Sequence, residues 1–548
     1  MVSFNRFRRF RALFERHWAS ALFVLLALGL WGWVSWEAVF VRMITWEAGS
    51  DYWEHAASLH ALTENPWHPH HPHLAIDAGS PRFGPQFLLV ALLARAVDLD
   101  ANQAMALAAS LNTLLFLCGI RVFFLAYFRH PLAPLYGLLV MFGGWWLGFH
   151  YSNVYALSEL FSVASYPSTT ALGLTLLGFA LTVRLLRGEI QRPRLCLALL
   201  GLWAAAVFIV HPLTAMLALS GALLLAVVEP KVPWRRRFEV AGVIVVGCGL
   251  SHFWPYFSPW VVIRGGHGRD ADWAGQSLQQ ASELHVKGRL HHFYRPLSLL
   301  RNVGLGGLTL LALPYFFLRR ARWFVGLGTL AMLVPFVANA YVEIPLGHRF
   351  VLLAIVYMHI GAVSLLLRLT PGYPGAFRIL GVRFFRIPVF AIFSGLLVVV
   401  TLLVFSVHSV KQAQALFNGA RYRLNQDSPV VRNMRAIAAT AGPGAVVLAN
   451  PSLSWPLASF GPKVLLLLHD DPLVPDATQR EQAVKEFLGG DASNDERRAI
   501  LKRYGVTHVL LLRESGPVRF LDKVSTLRVL GGGHRLYTLR PKALRDKR

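Results

Sequence analysis

The chain alternates long apolar runs with short arginine-rich segments as far as about residue 410, then changes to shorter hydrophobic stretches of mixed helical and strand period. The first run, Ala19 to about Val41, is long enough at 1.5 Å per residue to cross a hydrocarbon core of roughly 30 Å. Further runs read as Phe83–Leu99, Ala101–Phe128, Leu132–Phe149, Thr169–Val183, Leu195–Val210, Leu213–Val228, Val240–Trp254, Val303–Leu318, Trp323–Tyr341, Phe350–Leu367 and Val389–Val407. The clusters Arg184/Arg187/Arg192/Arg194, Lys231/Arg235/Arg236/Arg237, Arg319/Arg320/Arg322 and Arg368/Arg378/Arg383/Arg386 fall in alternate loops, which orients those loops to the cytoplasm. Arg6, Arg8, Arg9, Arg11 and Arg16 precede the first run and no small-residue cleavage site follows it, so an uncleaved span with a cytoplasmic N-terminus is expected.

These assignments make the loops 42–82, 150–167 and 255–302 external. An even number of crossings must then join the first two loops, yet the pattern offers Phe83–Leu99, Ala101–Phe128 and Leu132–Phe149 between them. Phe83–Leu99 is short and holds Pro85 and Arg95, which reads as a half-span or interfacial helix; the alternative is a second crossing hidden in the long run 101–128. Either choice gives an odd total, eleven or thirteen, and an external C-terminus.

From about Lys411 the pattern predicts a small α/β domain. Helices are expected at Val431–Ala441, Thr478–Leu488 and Ser493–Tyr504, and strands at Ala445–Ala449, Val464–Leu468, His508–Leu512, Thr526–Val529 and Leu536–Leu539. Ser493-Asn494-Asp495-Glu496 has the spacing of a capping box, which satisfies free N–H groups at a helix start. The expected architecture is a mainly α, polytopic membrane domain over 1–410 followed by an external, periplasmic α/β domain over 411–548.

Composition agrees with that reading. A chain of 548 residues with 55% hydrophobic and 15% charged residues is too apolar for a water-soluble fold of its size. The formal charge of +25 suggests nucleic acid at first sight, but the arginines sit between apolar runs, where they orient spans. No nucleic-acid partner is expected. Cys118, Cys196 and Cys248 all lie inside apolar runs, so no disulfide framework is expected in the aqueous segments.

The candidate chemistry lies in the external loops. Glu47-Ala48-Gly49-Ser50-Asp51-Tyr52-Trp53-Glu54-His55 follows the first span directly. Asp51–Leu62 reads as an amphipathic helix with Tyr52, Ala56, Leu59 and Leu62 on one face, and with Asp51 at its start. A carboxylate there is either a helix cap or a general base facing an acceptor hydroxyl or amine. His68-Pro69-His70-His71-Pro72-His73 is dense in imidazoles, but its prolines keep the chain extended, so the four rings are not expected to share one ion. A hydrogen-bonding role toward phosphate or sugar suits them better, and a need for a divalent cation stays open. Glu159, with Tyr151 and Tyr155 nearby, is either a surface carboxylate or a second acid of the site.

The loop 255–302 carries Arg264, Arg269, Lys287, Arg289, Arg295 and Arg301 on the side where positive charge is normally depleted. Long loops escape that rule in part. The functional alternative is a cradle for a phosphate ester, because guanidinium binds phosphate oxygens through paired hydrogen bonds. In the short connection Glu343–Arg349, His348 and Arg349 stand at the mouth of the next span, where an arginine either snorkels or holds a lipid phosphate.

Taken together, Asp51 after the first span, the run Pro81-Arg82-Phe83-Gly84-Pro85 continuing to Arg95, His211-Pro212-Leu213-Thr214, His348-Arg349-Phe350 and a soluble external tail resemble the GT-C superfamily of membrane glycosyltransferases. That superfamily includes the protein O-mannosyltransferases and the lipid A aminoarabinose transferases. The resemblance implies an inner-membrane enzyme that takes a sugar from a polyprenyl phosphate at the outer face. It implies Asp51 as the base and Arg349 as a group for the lipid phosphate. From residue type and position, Glu159 is the candidate second acid, and His348, Arg82, Arg289, Arg295, His71 and His73 are candidates for binding the donor phosphate or substrate.

Protein O-mannosyltransferases carry an Asp-Glu pair in this loop, whereas here Asp51 is followed by Tyr52 and the next acid is Glu54. No sequon-reading motif is visible. An envelope glycolipid or polysaccharide is therefore the expected acceptor rather than a peptide. The rival classes are a transporter or flippase of lipid-linked sugars, which binds without cleaving, and a non-catalytic envelope assembly protein.

Overall fold

The computed structural model describes residues 2–40, 51–145, 153–265, 303–342, 344, 346–369, 429–442, 444–467, 471–489, 491–516, 518–530 and 533–540. Its helices run in the order α1 (Val2–Phe40), α2 (Asp51–Glu64), α3 (Pro85–Ala96), α4 (Ala101–Phe128), α5 (Ala133–Gly143), α6 (Leu157–Val163), α7 (Pro167–Leu186), α8 (Pro193–Val210), α9 (Pro212–Val228) and α10 (Trp234–Leu250), with shorter and later helices named below by their residues. Two compact units result. One holds the described residues of Met1–Ser35, Ala109–Ser251 and Lys287–Gly419, the other those of Trp36–Ala108, His252–Val286 and Ala420–Arg548.

The first unit is a bundle of apolar helices. Among the described residues, six helices are long and apolar enough to cross a membrane: His17–Phe40, Ala101–Phe128, Pro167–Leu186, Pro193–Val210, Arg320–Ala338 and Gly347–Arg368. The chain is a multi-pass membrane protein. Pro85–Ala96, Ala133–Gly143 and Pro212–Val228 are shorter apolar helices, and the run Val389–Val407 lies outside the described residues.

Several expected runs take a different form. Phe83–Leu99 becomes a helix of 12 residues that starts at Pro85 behind Gly84, about 18 Å long and too short to cross. The alternative of a hidden second crossing in 101–128 does not hold, because α4 is one continuous helix of 28 residues. Leu132–Phe149 yields only the 11-residue α5 among its described residues. Val303–Leu318 breaks into Gly306–Leu311 and Leu313–Phe317, the second with Pro314 in its first turn, where the missing N–H costs nothing.

Small residues let bundle helices approach closely. α8 and α10 pack together, and a Cβ on Gly247 would lie 2.1 Å from the carbonyl oxygen of Gly201. Only glycine fits there. The motif His211–Thr214 forms the junction of α8 and α9: His211 Nδ1 accepts from the Thr214 N–H at 3.2 Å as the cap of α9, and Asn153 Nδ2 donates to Thr214 Oγ1 at 2.7 Å. The helix start thereby satisfies one of its free donors.

The second unit is built on a five-stranded sheet of order β2-β1-β3-β5-β4, with β1 (Val446–Ala449), β2 (Lys463–Val464), β3 (His508–Leu511), β4 (Ser525–Val529) and β5 (Arg535–Leu539). β1 runs parallel to β2 and β3, β5 pairs antiparallel with both β3 and β4, and Leu448 stands opposite Val509. Successive strand residues face opposite layers. Val446, Leu448, Val509 and Leu511 pack with Phe487, Leu501 and Phe520, while Val447, Ala449 and Leu510 pack with Met434, Ile437 and Leu457.

The expected domain elements appear, with adjustments. Ser493 and Glu496 form both halves of the capping box ahead of Asn494–Arg503. The expected strand Val464–Leu468 is paired only at Lys463 and Val464, although Leu465 and Leu466 remain buried. Two helices were not visible in the pattern: Pro451–Ala458, which contains Pro456, and Arg519–Val524. Ala57 of α2 belongs to the same core as Leu457 and Val447, so α2 is docked on the sheet domain.

Candidate functional site

Asp51 and Glu54 occupy the first turn of α2, where the helix dipole favours negative charge. The amphipathic reading of this helix does not hold. Tyr52, Trp53, His55, Ala56, Ala57, Ser58, Leu59, Ala61 and Leu62 are all buried, because α3 and the helix Pro451–Ala458 both pack on α2. His55 lies edge-on to Phe87 with ring centroids 5.4 Å apart, and the Tyr52 hydroxyl donates to Asn102 Oδ1 at 3.1 Å.

The far end of the segment 42–82 returns to this turn. Ser80 to Gly84 forms a tight turn, and Arg82 Nη2 donates to Glu54 Oε2 at 2.8 Å. Burial opposes the charge on Arg82, but the carboxylates of Glu54, Asp51 and Asp471 outweigh it and hold the proton more tightly than in an ordinary guanidinium. Trp254 and Tyr256, just after α10, brace the turn: Trp254 Nε1 donates to the Phe83 carbonyl at 2.8 Å and the Tyr256 ring meets Phe83 edge-on at 6.0 Å. A Cβ on Gly79 would lie 2.2 Å from the Tyr256 carbonyl oxygen, so this approach requires glycine.

The histidine tract divides by burial. His68 and His70 are exposed, whereas His71 to Leu74 are all buried: the expected extended run gives way to bends over 72–76, and His71 and His73 dock on Lys463 and Val464. His71 Nε2 lies 3.4 Å from Asp471 Oδ2. Lys463 Nζ donates to the His71 carbonyl at 3.0 Å, and the Val464 N–H donates to the His73 carbonyl at 2.7 Å. Burial pulls the Lys463 ammonium below its usual range, with Glu64 opposing the shift.

The structure therefore brings Asp51, Arg82, His71 and His73 into one unit with Glu54, the next acid after Asp51, and adds Lys463 and Asp471, which carried no signal of their own in the sequence. A cavity of about 550 Å³ lies at the far end of α2 from Asp51, lined by His60, Glu64, Arg95, Asp98, Asp100 and Phe460 among others. Its charges are engaged in holding helix ends: Arg95 donates to the Thr63 and Glu64 carbonyls, and Asp100 Oδ1 accepts from the Asn102 and Gln103 N–H groups.

Glu159, His348 and Arg349 belong to the bundle unit. Glu159 is in the first turn of α6 and half-buried. His348 and Arg349 form a 3₁₀ turn ahead of Phe350–Leu369, entered through Leu346 in the left-handed region at φ 56°. Asn339 Oδ1 accepts from the Ile344 N–H at 2.9 Å and crowds Gly347 so closely that a Cβ would sit 2.4 Å away. Arg289 and Arg295 lie outside the described residues. The bundle also buries His359, whose Nδ1 is 3.1 Å from the Tyr155 hydroxyl, with Trp145 edge-on to both rings.

No family model and no curated protein sequence matches the chain. Solved structures do. The chain is similar to ArnT from Cupriavidus metallidurans in the apo state, with 15% identity over 97% of this chain and 100% of that one and a TM-score of 0.53. It is also similar to the Archaeoglobus fulgidus oligosaccharyltransferase in the apo form, with 11% identity over 96% of this chain and 75% of that one and a TM-score of 0.55. Both neighbours are GT-C membrane glycosyltransferases, and this chain has the GT-C fold.

Proposed function

We propose that the protein is a membrane glycosyltransferase that moves a sugar from a polyprenyl-phosphate donor to an envelope glycolipid or polysaccharide on the outer face of the membrane. The observation that carries the reading is the GT-C fold along nearly the whole chain, with Asp51 opening the helix that follows the first span. Fold alone does not assign an activity; the carboxylate at this point of the fold is the further support for the reading.

In the reaction, Asp51 takes the proton of an acceptor hydroxyl as that oxygen bonds to the anomeric carbon. The bond from that carbon to the phosphate oxygen breaks, and the phosphate leaves with the electron pair. Cationic groups stabilise the departing charge, and His348 and Arg349 are assigned that task. Arg82 instead serves the acid cluster, pairing with Glu54. The sugar–phosphate bond supplies the driving force, so no nucleotide site is required.

The test is release of free polyprenyl phosphate from a mixture of lipid-linked sugars and native membrane extract, comparing wild type with Asp51→Asn. Release that depends on Asp51 is the expected result. Equal release by the variant removes Asp51 from the base role, and lipid binding without release by either protein favours a transporter.

A further inference from the structure

His71 Nδ1 accepts hydrogen bonds from the backbone N–H groups of His73 at 3.2 Å and Leu74 at 3.0 Å. A ring nitrogen that accepts carries no proton, so the neutral imidazole holds its proton on Nε2. That nitrogen faces Asp471 Oδ2 at 3.4 Å, and His71 is only 1% exposed. The neutral ring makes no ion pair and Nε2 no hydrogen bond, so the carboxylate acts across that gap on the Nε2–H dipole. Asp471 is itself fixed, because its Oδ1 accepts from the Leu473 N–H at 2.9 Å and its carbonyl from the Val474 N–H at 2.9 Å.

We infer that Asp471, in the α/β domain, is a positioning residue for the first external loop: it selects the Nε2–H form of His71 and so holds the His71–Leu74 turn in the segment leading to Arg82. The inference rests on the reading of Asp51 as base for its effect on turnover, but not for its effect on the turn. Asp471 acts through His71 and touches no reacting atom. An asparagine in its place has one acceptor oxygen. If that oxygen faces His71, the amide NH₂ meets the Leu473 N–H, so one of the two contacts is lost.

The experiment uses the full chain and compares wild type, Asp471→Asn, His71→Ala and the double variant. Hydrogen exchange of the peptide containing His73 and Leu74 should accelerate by about tenfold in Asp471→Asn, the scale set by one weakened hydrogen bond. Exchange of the strand containing Val509 should not change, which reports an intact domain. In the His71→Ala background, Asp471→Asn should add nothing. Turnover of Asp471→Asn should fall through kcat with the donor KM unchanged, and Asp471→Glu should restore part of it.

Unchanged exchange at His73 and Leu74, or an undiminished effect of Asp471→Asn without His71, overturns the inference. If Asp51→Asn retains turnover, the catalytic reading fails while the exchange result still decides the role of Asp471. If Asp51→Asn is inactive and Asp471→Asn matches wild type in both readouts, the positioning role fails alone.

Discussion

Arg82 Nη2 donates to Glu54 Oε2 at 2.8 Å, so the guanidinium just ahead of α3 pairs with the second acid of α2 and not the first. Asp51 adds to the field that holds Arg82 charged. One cation thus serves two carboxylates from the first turn of α2 and one from the α/β domain.

Removing that cation should cost more than removing its partner. Arg82→Ala leaves Glu54, Asp51 and Asp471 without their shared counter-charge, whereas Glu54→Gln leaves the guanidinium two carboxylates. The pair is neither fully buried nor exposed, which places the expected loss for Arg82→Ala at about 2 kcal/mol, between the ranges for surface and interior pairs. Thermal unfolding of the two single variants and the double variant measures it. Equal losses for both single variants would show that the shared field contributes nothing.

Arg349 carries the donor-phosphate proposal. Arg349→Ala should raise the apparent KM for the lipid-linked donor at least about tenfold, the scale of one lost charge-assisted contact. Arg349→Lys should recover only part of it, because a point charge cannot grip two oxygens side by side. A titration with purified donor lipid reads both values, and an unchanged KM for the alanine variant argues against the role.

The glycines of the bundle offer a graded test of packing. Gly247→Ala places a methyl group 2.1 Å from a backbone oxygen, whereas Gly201→Ala meets its nearest neighbour, the Val243 carbonyl oxygen, at 3.3 Å. Overpacking against backbone costs about 1–3 kcal/mol. Gly247→Ala should therefore melt well below wild type in detergent, with Gly201→Ala in between. The reverse order would contradict the α8–α10 approach described here.

A fourth test concerns acid stability. The Ser493 backbone N–H and then its side chain hold the Glu496 carboxyl below its usual range. A carboxyl depressed in the folded state stabilises fully above its unfolded pKa, and that contribution is lost as pH falls through the folded value. Helix Asn494–Arg503 should therefore exchange its amides faster in acid, after correction for intrinsic rates. Ser493→Ala should weaken that dependence, and an unaltered acid response would remove the capping box as its source.

What could be read from the chain follows the range of the interactions. Asp51 at a helix start, the capping box at Ser493 and most strands of the α/β domain were legible because their signals are local. The burial of α2 on nearly every side was not, because Ala57 shares a core with Leu457 and Val447 from the far end of the chain. Arg82 was read as a phosphate ligand, and Glu54 was passed over as the next acid along; neither spacing nor periodicity reveals a pair 28 residues apart. The prolines around His71 suggested an extended tract with diverging rings, but residues 72–76 bend and the buried His71 and His73 rings lie 6.2 Å apart, with His68 and His70 exposed. Nothing in the sequence pointed from His71 to Asp471. In the bundle, hydropathy overstated Leu132–Phe149 as a span because apolar content is blind to where a helix stops.

The hydrogen bond from Lys463 to the His71 carbonyl joins residues 392 positions apart. At synthesis rates of about 5–20 residues per second, the segment around His71 exists for roughly 20 to 80 s before its ammonium partner has been made. Throughout that interval the segment lacks Lys463, Val464 and Asp471. Biogenesis therefore runs out of order: the segment translated among the first must wait for almost the last before its fold can close.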